Sequence, residues 1–344
     1  MNPLVSALRD KRTLSDEGLR KLMESEDASL VDSLHLNARE VAVQRFGKQV
    51  WLRALIEWSN VCRQDCLYCG IRKGNRSVPR YTLSREEILE GCEAAWKEGI
   101  RTFVLQGGEN PSAALSLVPV VAEIRSRWKE AAITLSLGEL PFETYALLRQ
   151  SGADRYLLRH ETASQAHYAQ LHPSQMQLES RLACLEELRR LGYQVGMGMM
   201  VGSPAQTVEN LLEDIRLMER FRPEMAGIGP FIPHPDTPLG HFPAGSAALT
   251  LRIYSILRLM LPDTLIPSTT ALSTLAPGGR LEGILAGANV IMPNFTPRPY
   301  RQAYSLYRGK PDTDGAEALR ELRKELSAAG YTQNPGRGDY KKTS

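Results

Sequence analysis

The spacing of apolar positions changes character once along the chain, near residue 49. Before it, Leu30, Val31, Leu34, Ala38, Val41 and Ala42 recur three and four apart, the mark of helices with one buried stripe, so residues 1–48 are expected to be helical. After it, short apolar runs alternate with amphipathic ones. The run 50–58 reads as a strand. Ser84-Arg85-Glu86-Glu87 is a capping box, in which the serine caps the helix and the glutamate three residues on reaches back; it opens a helix that Gly99 closes. The same alternation predicts strands over 101–106, 132–137, 155–159, 194–201, 226–229, 265–270 and 289–292. Helices are expected over 114–129, 142–150, 178–191, 207–221, 247–261 and 280–285.

Such alternation argues for a parallel sheet with helices outside it. Eight repeats in roughly 250 residues is the size of an α/β (β/α)8 TIM-type barrel, with a six-unit open barrel as the alternative. The expected organisation is therefore a helical segment over 1–48, the barrel over 49–310, and a C-terminal helix and tail over 311–344. In that tail, 315–329 reads as a surface helix and 333–344 as frayed.

Charge narrows the partners. The 344 residues carry 42 Lys and Arg against 39 Asp and Glu, a net charge of +3, too small to argue for nucleic acid. No apolar run is long enough to span a membrane, and the first twenty residues lack the apolar centre of a secretion signal. Five cysteines, three of them in one motif, do not resemble a disulfide framework. A reducing cytoplasm is the expected location.

The chemistry lies in Ser59-Asn60-Val61-Cys62-Arg63-Gln64-Asp65-Cys66-Leu67-Tyr68-Cys69-Gly70. Cys62, Cys66 and Cys69 can converge on one face of a loop that follows the first strand. Three thiolates are one short of the set that normally holds a 4Fe–4S cluster, so one iron stays open to a ligand. A structural zinc site usually takes four N or S ligands, and no histidine lies close in sequence; zinc or three ordinary buried thiols are the alternatives. Cys92 and Cys184 fall in helical patterns and read as small core residues.

In a barrel the site forms at the C-terminal strand ends, which selects further candidates. The second strand ends in Gln106-Gly107-Gly108-Glu109, where paired glycines let backbone approach a ligand closely. The third ends at Thr134 and Ser136, and the fourth at Arg159-His160-Glu161-Thr162. Arg159 and Glu161 fall on the same side by strand alternation, either as a structural ion pair or as part of a site. His160 is expected to point away. Arg181, early in the next helix, can bind a carboxylate bidentately. Thr269 and Thr270 close the seventh strand with hydroxyls.

The order of strand, cysteine loop and helix resembles the radical S-adenosylmethionine (SAM) superfamily. That resemblance implies one 4Fe–4S cluster on Cys62, Cys66 and Cys69, SAM on the open iron, and reductive cleavage to a 5′-deoxyadenosyl radical. It implies that Tyr68 faces the adenine, that the Gly107-Gly108-Glu109 turn contacts the SAM amino group, and that Gln106, Ser136, Glu161, Arg181 and Tyr304 belong to the cofactor site. Longer strings, such as Ala153-Asp154-Arg155-Tyr156-Leu157-Leu158-Arg159-His160-Glu161-Thr162-Ala163 and Gly227-Ile228-Gly229-Pro230-Phe231-Ile232-Pro233-His234-Pro235-Asp236-Thr237-Pro238-Leu239, are similar to the HydE family of FeFe-hydrogenase maturases. This narrower resemblance runs from about 30 to 310. It implies action on a sulfur-containing organometallic substrate, a cysteine-bound iron carbonyl cyanide complex supplied by HydG, with transfer onward to HydF. An electron donor such as a ferredoxin or flavodoxin is implied too. Thr134, Arg159, Met225, Thr269 and Thr270 are the corresponding substrate candidates. Some members of that family carry three further cysteines near the C-terminus for an accessory cluster; none follows Met292 here, so a single cluster is expected. Methylornithine synthase remains the rival reading, and a non-catalytic Fe–S carrier the alternative of another class. Biotin synthase fits poorly, since only Cys92 and Cys184 are left for its second cluster.

Overall fold

The computed structural model describes residues 2–309 and 315–342; the expected boundary at 310/311 lies outside the described residues. Eight parallel strands close on themselves. The first runs as two segments, Gln49–Leu52 and Ala54–Ser59, interrupted at Arg53. Thr102–Gly107, Ala132–Ser136, Arg155–Leu157 and Gln194–Met197 follow in sequential register, Ala54 facing Phe103, Val104 facing Thr134, Thr134 facing Arg155 and Tyr156 facing Val195. Met225–Ala226 pairs with the fifth strand, and an isolated bridge from Met225 to Leu265 carries the ring to the seventh strand, Pro267–Ser268. That strand pairs with Val290–Ile291, which pairs in turn with Trp51 and Leu52. The amides of Arg53 and Leu55 bond the carbonyls of Ile291 and Pro293, completing the circle. The full barrel, rather than the six-unit open form, is what forms.

The inner ladders of strands six to eight are only two residues long, and loops carrying glycine and proline take over above them. Short ladders suffice because each strand is covered on its outer face. The helix Arg85–Lys97 begins at the Ser84/Glu87 capping box, both halves of which form. The outer helices Ala28–Phe46 and Ala247–Met260 pack on each other. Pro3–Lys11 and Asp16–Glu24 bury Val5, Leu8, Leu19 and Leu22 beneath the same layer. The run expected as one helix over 114–129 breaks into Pro111–Ala114 and Leu117–Arg127. Three short helices, Gln165–Leu171, Thr270–Leu275 and Arg298–Arg301, carry too few residues to show a period in the sequence.

The C-terminal tail departs from expectation. Gly315–Ala328 buries Leu319, Leu322 and Leu326, so it is an amphipathic packing helix rather than a loose surface one. Residues 333–342 are not frayed. Thr332–Asn334 adds a parallel strand to Gln49–Leu52, and the chain then runs under the barrel, where Asp339 meets the fully buried Arg155 at 2.6 Å and Arg337 meets Asp154 at 3.0 Å. Polar residues at a chain end read as disordered because their partners, here Arg155 and Asp154, lie far away in sequence.

Among the described residues, no helix is long and apolar enough to cross a membrane.

Candidate functional site

A cavity of about 280 Å³ opens at the C-terminal ends of the strands. Cys62, Cys66 and Cys69 line one wall. Gln106, Gly107, Gly108, Glu109 and Ser136 come from the second and third strands, Arg159 and Glu161 from the fourth, and Arg181 from the helix Leu178–Arg190; Tyr68 and Tyr304 complete the set. Every residue assigned to the cluster and to the cofactor on sequence grounds therefore borders a single space.

The cysteine loop is held there by groups spread along the chain. The Arg63 amide bonds the Glu109 carbonyl, and the Leu67 amide the Leu171 carbonyl. The Gly70 amide reaches the Leu306 carbonyl. Arg80 is the keystone: its guanidinium donates to the carbonyls of Asn60, Ile71, Arg72 and Asn75 at 2.6–2.8 Å. Gly108 is glycine for a steric reason. A β-carbon there would lie 2.6 Å from the Val61 carbonyl oxygen and 2.8 Å from the Cys62 β-carbon. The close approach that the glycine pair permits is first of all between the turn and the cysteine loop.

Glu109 is buried, and its carboxylate is occupied. Arg63 lies at 2.9 Å and Gln64 at 2.6 Å on one oxygen; the Glu139 amide donates to the other at 2.8 Å, with Arg181 3.9 Å away. Arg181 also meets Glu139 at 3.2 Å, donates to the Arg159 carbonyl, and reaches the Tyr168 hydroxyl at 3.3 Å. Glu109 and Arg181 thus join the wall of the cavity to the cysteine loop.

Glu161 has φ of +67°, a left-handed conformation that costs a non-glycine residue roughly 1 kcal/mol or more. The strain is held in place by its amide on the Gly198 carbonyl and its own carbonyl accepting from Met200. Its carboxylate lies 2.9 Å from the Arg159 guanidinium, yet that oxygen has no properly directed hydrogen bond, and neither does Arg159 Nε. Arg159 donates to the Met199 carbonyl. His160 points away, as expected, onto Asp214 at 3.0 Å in the core.

The substrate candidates spread out by depth. Arg159 borders the cavity. Thr134 lies two residues below Ser136 on the third strand, its hydroxyl buried without a partner. Met225 sits deeper, its sulfur 3.0 Å from Arg53. Thr269 caps the helix Thr270–Leu275, whose next residue, Ala271, lines the cavity; Thr270 spends its carbonyl on Ser273 and Thr274.

Sequence reasoning missed the apolar lining from Ile71, Phe231, Leu306 and Tyr307, and the bracing of Tyr68. The Tyr68 hydroxyl lies 3.3 Å from His172 Nε2, and His172 is stacked on Tyr168 at 3.9 Å between ring centroids. Burial, then the nearby Arg181, pulls the His172 pKa down to about 3, so it stays a neutral partner. Only Phe231, in the proline-rich loop, carried a sequence signal. Among the thiols, burial first raises the pKa of Cys62; burial and then Cys69 push Cys66 well up; burial and then Cys62 push Cys69 to about 12. Metal attachment at neutral pH would therefore have to displace their protons.

The family model of the radical SAM superfamily matches residues 56–218. The chain is 45% identical over 302 residues to the [FeFe] hydrogenase maturase subunit HydE of Thermotoga maritima, a match covering 88% of this chain and 86% of that protein. It is 31% identical to 3-methylornithine synthase of Methanosarcina acetivorans, over 81% of this chain and 79% of that one. Among solved structures, a methylornithine synthase superposes with a TM-score of 0.84 at 27% identity, covering 96% of this chain and 97% of that one. The maturase HydG from Carboxydothermus hydrogenoformans, at 22% identity and a TM-score of 0.79 over 96% of this chain and 79% of that one, shares the fold. On the length and identity of the Thermotoga match, together with the family model over 56–218, the chain belongs to the radical SAM superfamily and, within it, to the HydE-type hydrogenase maturases.

Proposed function

We propose that this enzyme cleaves SAM reductively and uses the radical on a cysteine-bound iron carbonyl cyanide complex during assembly of the [FeFe]-hydrogenase active site, receiving it from HydG and passing the product toward HydF. The observation that carries this reading is the meeting of three loop cysteines, the Gly107-Gly108-Glu109 turn, Glu161 and Arg181 around one cavity.

The residues suit a 4Fe–4S cluster with SAM. Cys62, Cys66 and Cys69 line the cavity. Three thiolates leave one iron of a cube open to SAM, whereas a structural zinc site usually takes four N or S ligands. When bound, the pair supplies a 5′-deoxyadenosyl radical and methionine. Cys62, Cys66 and Cys69 would hold three irons. The Gly107 and Gly108 carbonyls, with Glu161, offer acceptors for the SAM ammonium and ribose. Arg181 offers a cationic group to a carboxylate, already fixed in place by Glu139 and Tyr168. Apolar cover from Ile71, Phe231, Leu306 and Tyr307 keeps water from a reactive intermediate.

The test is maturation itself: the chain, supplied in a hydrogenase assembly assay lacking HydE, should restore hydrogen evolution. The likeness in fold and sequence to methylornithine synthase favours a second reading, a carbon-skeleton mutase acting on lysine. Formation of 3-methylornithine from lysine, with no restored maturation, would select that reading instead.

A further inference from the structure

The positive charge of the chain is concentrated over the cysteine loop. Residues 61–80 hold Arg63, Arg72, Lys73, Arg76 and Arg80 and one acid, Asp65, a net of +4. The whole chain carries +3, so the rest sums to −1. The fold makes this stretch one surface. The Lys73 amide bonds the Gln64 carbonyl, and the Gly74 amide bonds Asp65 Oδ1, so 63–65 and 72–74 lie side by side. The one acid is neutralised locally by Arg72 at 2.7 Å. Arg80 turns its guanidinium onto four backbone carbonyls. Arg63 is exposed while reaching the buried Glu109. Lys73 and Arg76 are exposed, and among the described residues no carboxylate pairs with either. Neither lines the cavity. The loop therefore lines the cavity with its three sulfur-bearing residues and leaves two exposed cations, Lys73 and Arg76, with no carboxylate paired to them among the described residues.

We propose that this outer face of the loop, centred on Lys73 and Arg76, docks a small acidic one-electron carrier, a flavodoxin- or ferredoxin-like protein. The inference rests on the radical SAM reading above. That reading requires one electron from outside for each SAM cleaved, taken up by the oxidised cluster while the carrier's reduced flavin or iron–sulfur centre is oxidised by one. Lys73 and Arg76 belong to the same short stretch as Cys62, Cys66 and Cys69, so a carrier docked there lies against the loop that holds the cluster. Docking here leaves the cavity mouth free for substrate. A cationic patch accelerates encounter with an acidic partner, and the effect weakens as salt screens it.

The test uses the reconstituted protein, purified acidic flavodoxin as probe, and the double variant Lys73→Glu/Arg76→Glu. Calorimetric titration of wild type with flavodoxin should show binding that weakens as salt rises, and the variant should bind at least about tenfold more weakly. SAM cleavage driven by reduced flavodoxin should fall by a similar factor, while cleavage driven by dithionite stays within twofold of wild type. Unchanged flavodoxin affinity in the variant, or binding indifferent to salt, overturns the docking surface. If dithionite yields no cleavage in wild type either, the cofactor reading fails, and the titration still decides the surface.

Discussion

The floor and the mouth of the barrel use the same side chains to different ends. At the floor, Arg155 is fully buried and satisfied by the chain itself: Asp339 at 2.6 Å, Gln194 at 3.2 Å, the Thr102 hydroxyl and the Arg337 carbonyl. The tail that supplies Asp339 is stitched to the first strand and closes that end. At the mouth, Glu109, Glu139 and Glu161 share Arg159 and Arg181 around a cavity, with polar atoms of Arg159 and Glu161 left without directed partners. Ion pairs at the floor hold the tail to the barrel, whereas the same groups beside the cysteine loop border a cavity at the strand ends, where a ligand can reach them.

The sharpest way to break that contrast is at the cysteines. Cys66→Ala should keep the circular dichroism and melting of the metal-free protein yet abolish SAM cleavage, a loss of at least about a hundredfold, since only two protein ligands would remain. Next, Asp339→Ala should leave Arg155 buried and unpaired and cost about 3 kcal/mol in urea unfolding, with SAM affinity unchanged. Glu161→Ala should do the opposite: SAM affinity by calorimetry falls about tenfold, roughly 1.4 kcal/mol, while unfolding shifts little. The contrast also carries a pH dependence. His172 has a folded pKa of about 3, below its ordinary value of 6.5. The unfolded chain therefore binds the extra proton first, and stability is lost as pH falls from about 6.5 toward 3. His172→Gln should flatten that part of the stability–pH curve, measured on metal-free protein.

These outcomes also mark what the sequence carried. The cysteine spacing, the Gly107-Gly108-Glu109 turn and the charged end of the fourth strand were legible because each sits in a contiguous string at a strand end, and the barrel rule brings strand ends together. The closed eight-strand ring was legible from alternation, despite inner ladders as short as Val290–Ile291. Arg80, His172 and the plug at Arg337 and Asp339 were not. Each acts on a partner that only folding brings near, such as Tyr68 for His172 or Arg155 for Asp339, and none stands in a periodic pattern. Glu109 was half legible. Its place in the wall followed from the motif, but its carboxylate braces Arg63 and Gln64, a role visible only once the loop is folded.

The central claim is that three loop thiols hold a cluster whose open iron faces the wall formed by Glu161 and Arg181. Electron paramagnetic resonance of the anaerobically reconstituted, reduced protein tests it most directly. A single 4Fe–4S signal that shifts when SAM is added, and whose shift requires higher SAM in Glu161→Ala, is the predicted result. A reduced signal that SAM leaves unaltered, or the absence of any such signal with iron and sulfide supplied, would contradict it.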